Sequence, residues 1–168
     1  VDAKKVQQEP VVSPIEMPMN DEIKQVNGVS KATNKETQRL SNKLADATKA
    51  MVKKNWKTIY VKAVPTGDKA AVRFYYVDTR GQVHNGQVIR NTGLSKGKYM
   101  TGSLRQAEAL QELINHLERT GQEVPSSIDI IITQGGYRSK TIFNYDEDTS
   151  NLPAYQQQYE QQNFHTMK

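Results

Sequence analysis

A change of period near residue 55 constrains the fold more than any other feature of this sequence. Before it, Leu40, Leu44, Ala47 and Met51 recur at steps of four, three and four, one stripe of a helix. After it, "WKTIYVKAV" alternates. Ile59, Val61 and Ala63 fall on one side, and Trp56, Thr58, Tyr60 and Lys62 on the other. A turn at Pro65 to Asp68 ("PTGD") leads into "KAAVRFYYVD", where Ala70, Val72, Phe74 and Tyr76 share a side and Ala71, Arg73, Tyr75 and Val77 lie opposite. A period of two belongs to the pleated strand, and two such runs about a Pro- and Gly-containing turn read as a hairpin. Ile59, Val61, Val72 and Phe74 are the expected core.

The surrounding elements follow from the same reading. The helix before the hairpin is "TNKETQRLSNKLADATKAMVKKN", with Thr33 and Glu36 at capping-box spacing and Lys49, Lys53 and Lys54 near the end, where cations suit the helix dipole. After the "TRG" turn, "QVHNGQVIRN" is a third, weaker strand in which Asn85-Gly86 marks a bulge or bend. "NTGLSKGKYMTG" reads as a Gly-rich loop. A second helix, "SLRQAEALQELINHLERTG", opens at Ser103 with Gln106 three residues on, buries Leu110, Leu113, Ile114 and Leu117, and stops at Gly121. "SSIDIIIT" and "YRSKTIFNYD" form a second hairpin about Gln134-Gly135-Gly136. "LPAYQQQYEQQNF" reads as a short helix with Pro153 in its first turn and Tyr155 and Tyr159 one turn apart. Runs of consecutive strands separated by helices favour an α+β class, here an antiparallel sheet of about five strands with helices packed on one face.

Composition divides the chain. Apolar residues make up 36% and the mean hydropathy is −0.75, low for a chain packed throughout. Pro10, Pro14 and Pro18 fall in an N-terminal stretch without period. Residues 1–32 are therefore expected to be a flexible, Pro-containing tail or linker, in which Asn20 to Gly28 is compatible with one short helix. Residues 33–150 are expected to form a single α+β domain, and 151–168 a C-terminal tail or short helix. No apolar run approaches the ~20 residues of a membrane span.

The chemistry of catalysis is thin. The chain has no cysteine, so disulfides, Cys-type zinc sites and thiol catalysis are excluded within it. His84, His116 and His165 are its three histidines and show no metal-ligand spacing. "GLSKGK" (93–98) lacks the spacing and strand-to-helix setting of a phosphate loop. "DED" (146–148) reads as a solvated acidic turn. No catalytic residue, cofactor or metal is expected.

Binding is better represented. The formal charge of +5 is uneven: residues 55–120 hold ten Lys and Arg against five Asp and Glu, whereas 121–168 hold three against six. On the second side of the first hairpin, Tyr60, Lys62, Arg73 and Tyr75 form an aromatic and basic set that the core does not require. Were that sheet face open, the cations would meet anions and the rings would anchor a partner. Arg138 and Lys140 share a face of the last strand, and Trp56 stands at the entry of the first. These seven residues are the candidate partner-binding set, with ordinary half-exposed sheet surface as the competing reading.

The series as a whole resembles a known family. A helix runs into "KNWKTIYVKAV", then "AAVRFYYVDTRGQ", then a Leu-rich helix with "LERTGQEVPSSIDIIIT", and the domain closes on "GGYRSKTIFNYDED". This is similar to the YezG-like immunity (antitoxin) proteins of Gram-positive bacteria. Trp56, Phe74-Tyr75-Tyr76 and Phe143-Asn144-Tyr145-Asp146 carry the resemblance, over roughly Thr33 to Asp148, with the Tyr/Gln-rich tail that follows left open as an extension. The resemblance implies a non-enzymatic protein that neutralises a secreted toxin by direct contact, with a protein partner, no cofactor and no nucleic acid. The alternative is an exported, surface-tethered envelope protein that binds an anionic polymer, a lipid surface or an envelope partner. The Pro-containing tail and the start at Val1 suit a processed, lipid-anchored spacer. The expected location is thus extracytoplasmic and cell-surface associated, with a cytoplasmic one as the alternative.

Overall fold

A computed structural model of the chain describes residues 16–17, 30–66, 69–136 and 139–164. The elements are, in order, β1 (Glu16–Met17), α1 (Lys31–Lys49), β2 (Thr58–Thr66), β3 (Lys69–Val77), β4 (Val83–Asn85), α2 (Ile89–Thr92), α3 (Lys96–Arg119), β5 (Ser127–Thr133), β6 (Lys140–Asn144) and α4 (Leu152–Asn163). The strands form one antiparallel sheet in the order β1-β6-β5-β2-β3-β4. Five strands carry the sheet, and β1 adds a two-residue pairing on the edge of β6. The fold is the expected α+β class. The short helix expected at 20–28 and most of the tail lie outside the described residues.

The alternation places the core where it was expected. Ile59, Val61, Ala63, Phe74 and Tyr76 meet Ile128, Ile130 and Phe143 on one face, and α1 and α3 close over them through Leu40, Leu44, Leu110, Leu113 and Leu117. Within the buried stripe of α1, hydroxyls stand beside Leu40 and Leu44, at Thr37, Ser41 and Thr48. Each returns its proton to the carbonyl four residues back, to Thr33, Thr37 and Leu44 at 3.1, 2.8 and 3.0 Å. A buried hydroxyl satisfied in this way is compatible with close helix packing. Thr37 also meets the Nε2 of buried His116 across the α1–α3 contact at 2.8 Å. Burial holds that imidazole below the usual histidine range.

Both helices start earlier than the capping-box pattern suggests. Ser30, not Thr33, caps α1, its Oγ accepting from the Thr33 N–H at 3.1 Å, and Glu36 turns instead to Arg39. Ser95, not Ser103, caps α3. The expected Gly-rich loop is therefore the end of α2, a three-residue turn and the first two turns of α3. Gly102 marks close packing, since a Cβ there would lie 2.1 Å from Met51 Sδ. Gln106 sits mid-helix and donates to Thr48 Oγ1 at 2.9 Å.

The weak third strand is only three residues long because the chain bends at Gly86, whose N–H donates to the Phe74 carbonyl at 2.9 Å. Gln87 then completes the edge with its side chain, accepting from the Phe74 N–H at 2.9 Å and donating to the Phe74 carbonyl at 3.2 Å. A Cβ on Gly86 would stand 2.3 Å from the Phe74 ring. Gly86→Ala must push that buried ring aside, so it is expected to lower unfolding stability by about 1–3 kcal/mol, read as a shifted urea midpoint at unchanged slope.

Candidate functional site

The second sheet face is not open. Asn151 caps α4 by accepting from the Ala154 N–H at 3.2 Å, Pro153 occupies the first turn, and the helix lies across the face that carries Tyr60, Lys62, Arg73 and Tyr75. Tyr159 and Phe164 reach down from it. Phe164 stands 4.8 Å from the Tyr75 ring and 5.5 Å from that of Tyr60, and Tyr159 stands 5.7 Å from Tyr75. With Val77 and Val83 these rings make a second core. Tyr75 is 0% exposed, Lys62 2% and Tyr60 4%. The expectation of an exposed aromatic and basic face is thus corrected. A partner could touch these three side chains only after α4 moved aside.

Strand register explains how two cations are kept under a helix. Lys62 lies directly opposite Arg73 on β3 and directly opposite Asp129 on β5. Each cation takes its own carboxylate. Lys62 Nζ donates to Asp129 Oδ2 at 3.1 Å and to Ser127 Oγ at 3.2 Å, and its ammonium lies 5.0 Å from the Tyr159 ring centroid and 5.3 Å from that of Tyr155. Arg73 reaches out to Glu160 of α4 at 2.9 Å, and the Tyr75 hydroxyl donates to the same carboxylate oxygen at 2.5 Å. Asn144 donates to Asp129 at 2.7 Å and to Ser127 at 3.0 Å. Glu147 closes the set, accepting from Ser127 at 2.5 Å and from Tyr155 at 3.0 Å. The "DED" turn is therefore only partly solvated, because its middle carboxylate braces the network.

The electrostatics follow from burial. Burial would lower Lys62, but Asp129, Tyr155 and Glu147 together outweigh it, and the lysine is held above its usual range, as the ammonium. Burial raises Asp129 above the aspartate range, with Lys62 and Asn144 opposing. Burial also raises Tyr75, Tyr155 and Tyr159, so all three remain neutral phenols. Among the described residues, Asp129 Oδ1, Asn144 Oδ1 and Tyr159 Oη are buried without a hydrogen-bond partner. Each such group costs about 1–3 kcal/mol, so the network specifies how α4 docks more than it adds stability.

The other candidate residues are dispersed. Lys140 shares the α4 side of the sheet by alternation with Ile142 and Asn144, on the strand beyond β5. Trp56 is on the opposite side, 9% exposed in the main core, where it borders a concavity of about 350 Å³ with Asn42, Asp46, Lys49 and Gln134. Arg138 lies outside the described residues. Sequence reasoning missed Ser127, Asp129, Asn144, Glu147 and Glu160. The signal for Asp129 was present: one carboxylate inside "SIDIIIT" has to meet a cation or a donor when the strand is central. Among the described residues no three His, Cys, Asp or Glu side chains gather to hold a metal, and no helix is long and apolar enough to cross a membrane.

A family model described as "Immunity protein YezG-like" matches residues 37–168, which takes in α4 and the Tyr/Gln-rich tail whose inclusion the sequence left open. No curated protein matches the chain.

Lys62→Met would leave the Asp129 carboxylate buried without its cation and is expected to cost about 3–5 kcal/mol near neutral pH. Adding Asp129→Asn should recover most of that loss. The raised acid binds its proton more tightly in the fold than in the unfolded chain. The single variant's deficit should therefore shrink as pH falls and the carboxyl protonates. Urea unfolding of wild type, single and double variants between about pH 4 and pH 8 checks both expectations.

Proposed function

The chain belongs to the YezG-like immunity protein family, and from that premise we propose that it is a non-enzymatic binding protein that neutralises a secreted bacterial toxin by direct protein–protein contact. The observation that carries this reading is the extent of the match. Residues 37–168 include the five-strand sheet, most of α1, all of α3 and the helix that covers the second sheet face. The family relation thus applies to the whole packed unit and not to an isolated motif.

The side chains support the same reading. Both described histidines serve packing: His116 meets Thr37, and His84 meets Asp78 at 2.8 Å and stacks on Tyr76. The buried carboxylates and phenols are spent on holding α4. A protein built this way acts by presenting a rigid surface, and its affinity comes from a few well-placed contacts. The competing reading, in which an open basic sheet meets an anionic polymer or lipid surface, needs a face that α4 covers.

The test is a binding measurement with candidate secreted bacterial toxin domains. The expected result is a one-to-one complex of nanomolar affinity or tighter, about −12 kcal/mol, that suppresses toxin activity in proportion to occupancy. A folded chain that recovers no toxin and leaves its activity unchanged would contradict the reading.

A further inference from the structure

At the end of the sheet where β3 turns into β4, the structure builds a basic concavity that the fold itself does not use. It has a volume of about 370 Å³ and is ringed by Lys54, Arg80 and Arg90, with His84, Tyr76 and Asn91 on its walls. Lys54, Arg80 and Arg90 are exposed. Among the described residues none of them is within ion-pair distance of a carboxylate. The one acid in the ring, Asp78, is already engaged. Its Oδ1 accepts from the N–H groups of Arg80 and Gln82 at 2.8 and 3.0 Å, and its Oδ2 meets His84 at 2.8 Å.

The walls are fixed to the sheet. The Asp78 contacts and the left-handed Gly81 set the turn that carries Arg80. The Tyr76 hydroxyl donates to the Asn91 carbonyl at 2.7 Å, and Asn91 donates to the Asn85 carbonyl at 3.0 Å, which positions the short α2 that carries Arg90. The Lys53 N–H donates to the Thr92 carbonyl at 2.8 Å and holds the Lys54 segment against α2. Because the backbone that carries these three cations is already ordered, meeting an anion costs side-chain rotamer freedom but no further ordering of the chain.

We propose that this concavity receives acidic side chains of the protein partner. The proposal rests on the toxin-binding reading above and names the part of the surface that does the binding. Carboxylates suit it better than a nucleic-acid strand. Single strands are held on a basic track with free aromatic platforms. In this concavity the Tyr76 and His84 rings are stacked on each other, 4.7 Å between centroids, and the Tyr76 hydroxyl is committed to Asn91. A compact hollow ringed by ammonium and guanidinium groups matches one or two carboxylates, which Arg binds in bidentate fashion.

The test compares the full chain with a Lys54→Glu/Arg80→Glu/Arg90→Glu variant, both checked for folding by circular dichroism, in titrations against the cognate toxin domain. A Lys35→Glu variant on exposed α1 is the charge control. The triple variant is expected to bind roughly 100-fold more weakly or worse, and Lys35→Glu within about threefold of wild type. Asp→Lys or Glu→Lys substitutions on the toxin should restore binding to the triple variant alone. If wild type and triple variant bind the toxin equally, this proposal is overturned while the toxin-binding reading stands. If wild type binds no toxin, that reading fails and the proposal with it. If a single-stranded oligonucleotide binds wild type but not the triple variant, while toxin affinity is unchanged, the site serves nucleic acid and the proposal is wrong.

Discussion

The buried Lys62–Asp129 pair is the interaction on which the rest of the structure depends. It sits on the two central strands, under α4, where neither charge reaches water. A lone charge there would be expelled. Paired and bonded to Ser127 and Asn144, both are retained, and they require a cover that keeps water away. Tyr155, Tyr159 and Phe164 provide that cover, and Arg73–Glu160 pins the outer edge of α4 to β3. The closing helix is thereby a structural layer, and the sheet is enclosed on both faces.

Much of this was legible in the sequence, and the reason is periodicity. The alternation gave the core face of β2 and β3 at Ile59, Val61, Ala63, Phe74 and Tyr76, but not at Trp56, which precedes β2 and packs in the main core, and the Leu stripe of α3 gave its buried side. Capping was read one or more turns late, because Thr33–Glu36 and Ser103–Gln106 have the right spacing inside helices that had already begun. The larger miss was the second face. A period of two states that two faces differ, but it does not say what covers either. The cover comes from a helix about 80 residues away in which glutamines outnumber apolar residues, and Tyr159 and the flanking Phe164 are what it buries against the sheet. Its docking depends on pairings such as Arg73 with Glu160, which no local pattern records.

The covered face relocates the question of binding. The aromatic and basic set that first suggested a partner surface is internal packing, while Lys54, Arg80 and Arg90, without an ion-pair partner among the described residues, lie at the end of the sheet. Arg80 and Arg90 came from segments that read as a turn and a weak strand and Lys54 from what read as the end of the first helix; the bend at Gly86, the Lys53–Thr92 bond and the cross-bonds of Tyr76 and Asn91 bring them together. An immunity protein needs such a rigid, pre-ordered surface, because affinity depends on how little is lost in forming the contact.

The most direct test of the central claim is lysine accessibility. The intact chain would be treated briefly with an amine-acetylating reagent, and each lysine followed by peptide mass spectrometry. Lys62, enclosed beneath α4 and held as the ammonium, is expected to stay unmodified over an interval in which exposed Lys54 and Lys57 react to completion. Acetylation of Lys62 at a rate comparable to theirs would show the second sheet face to be open and contradict this account.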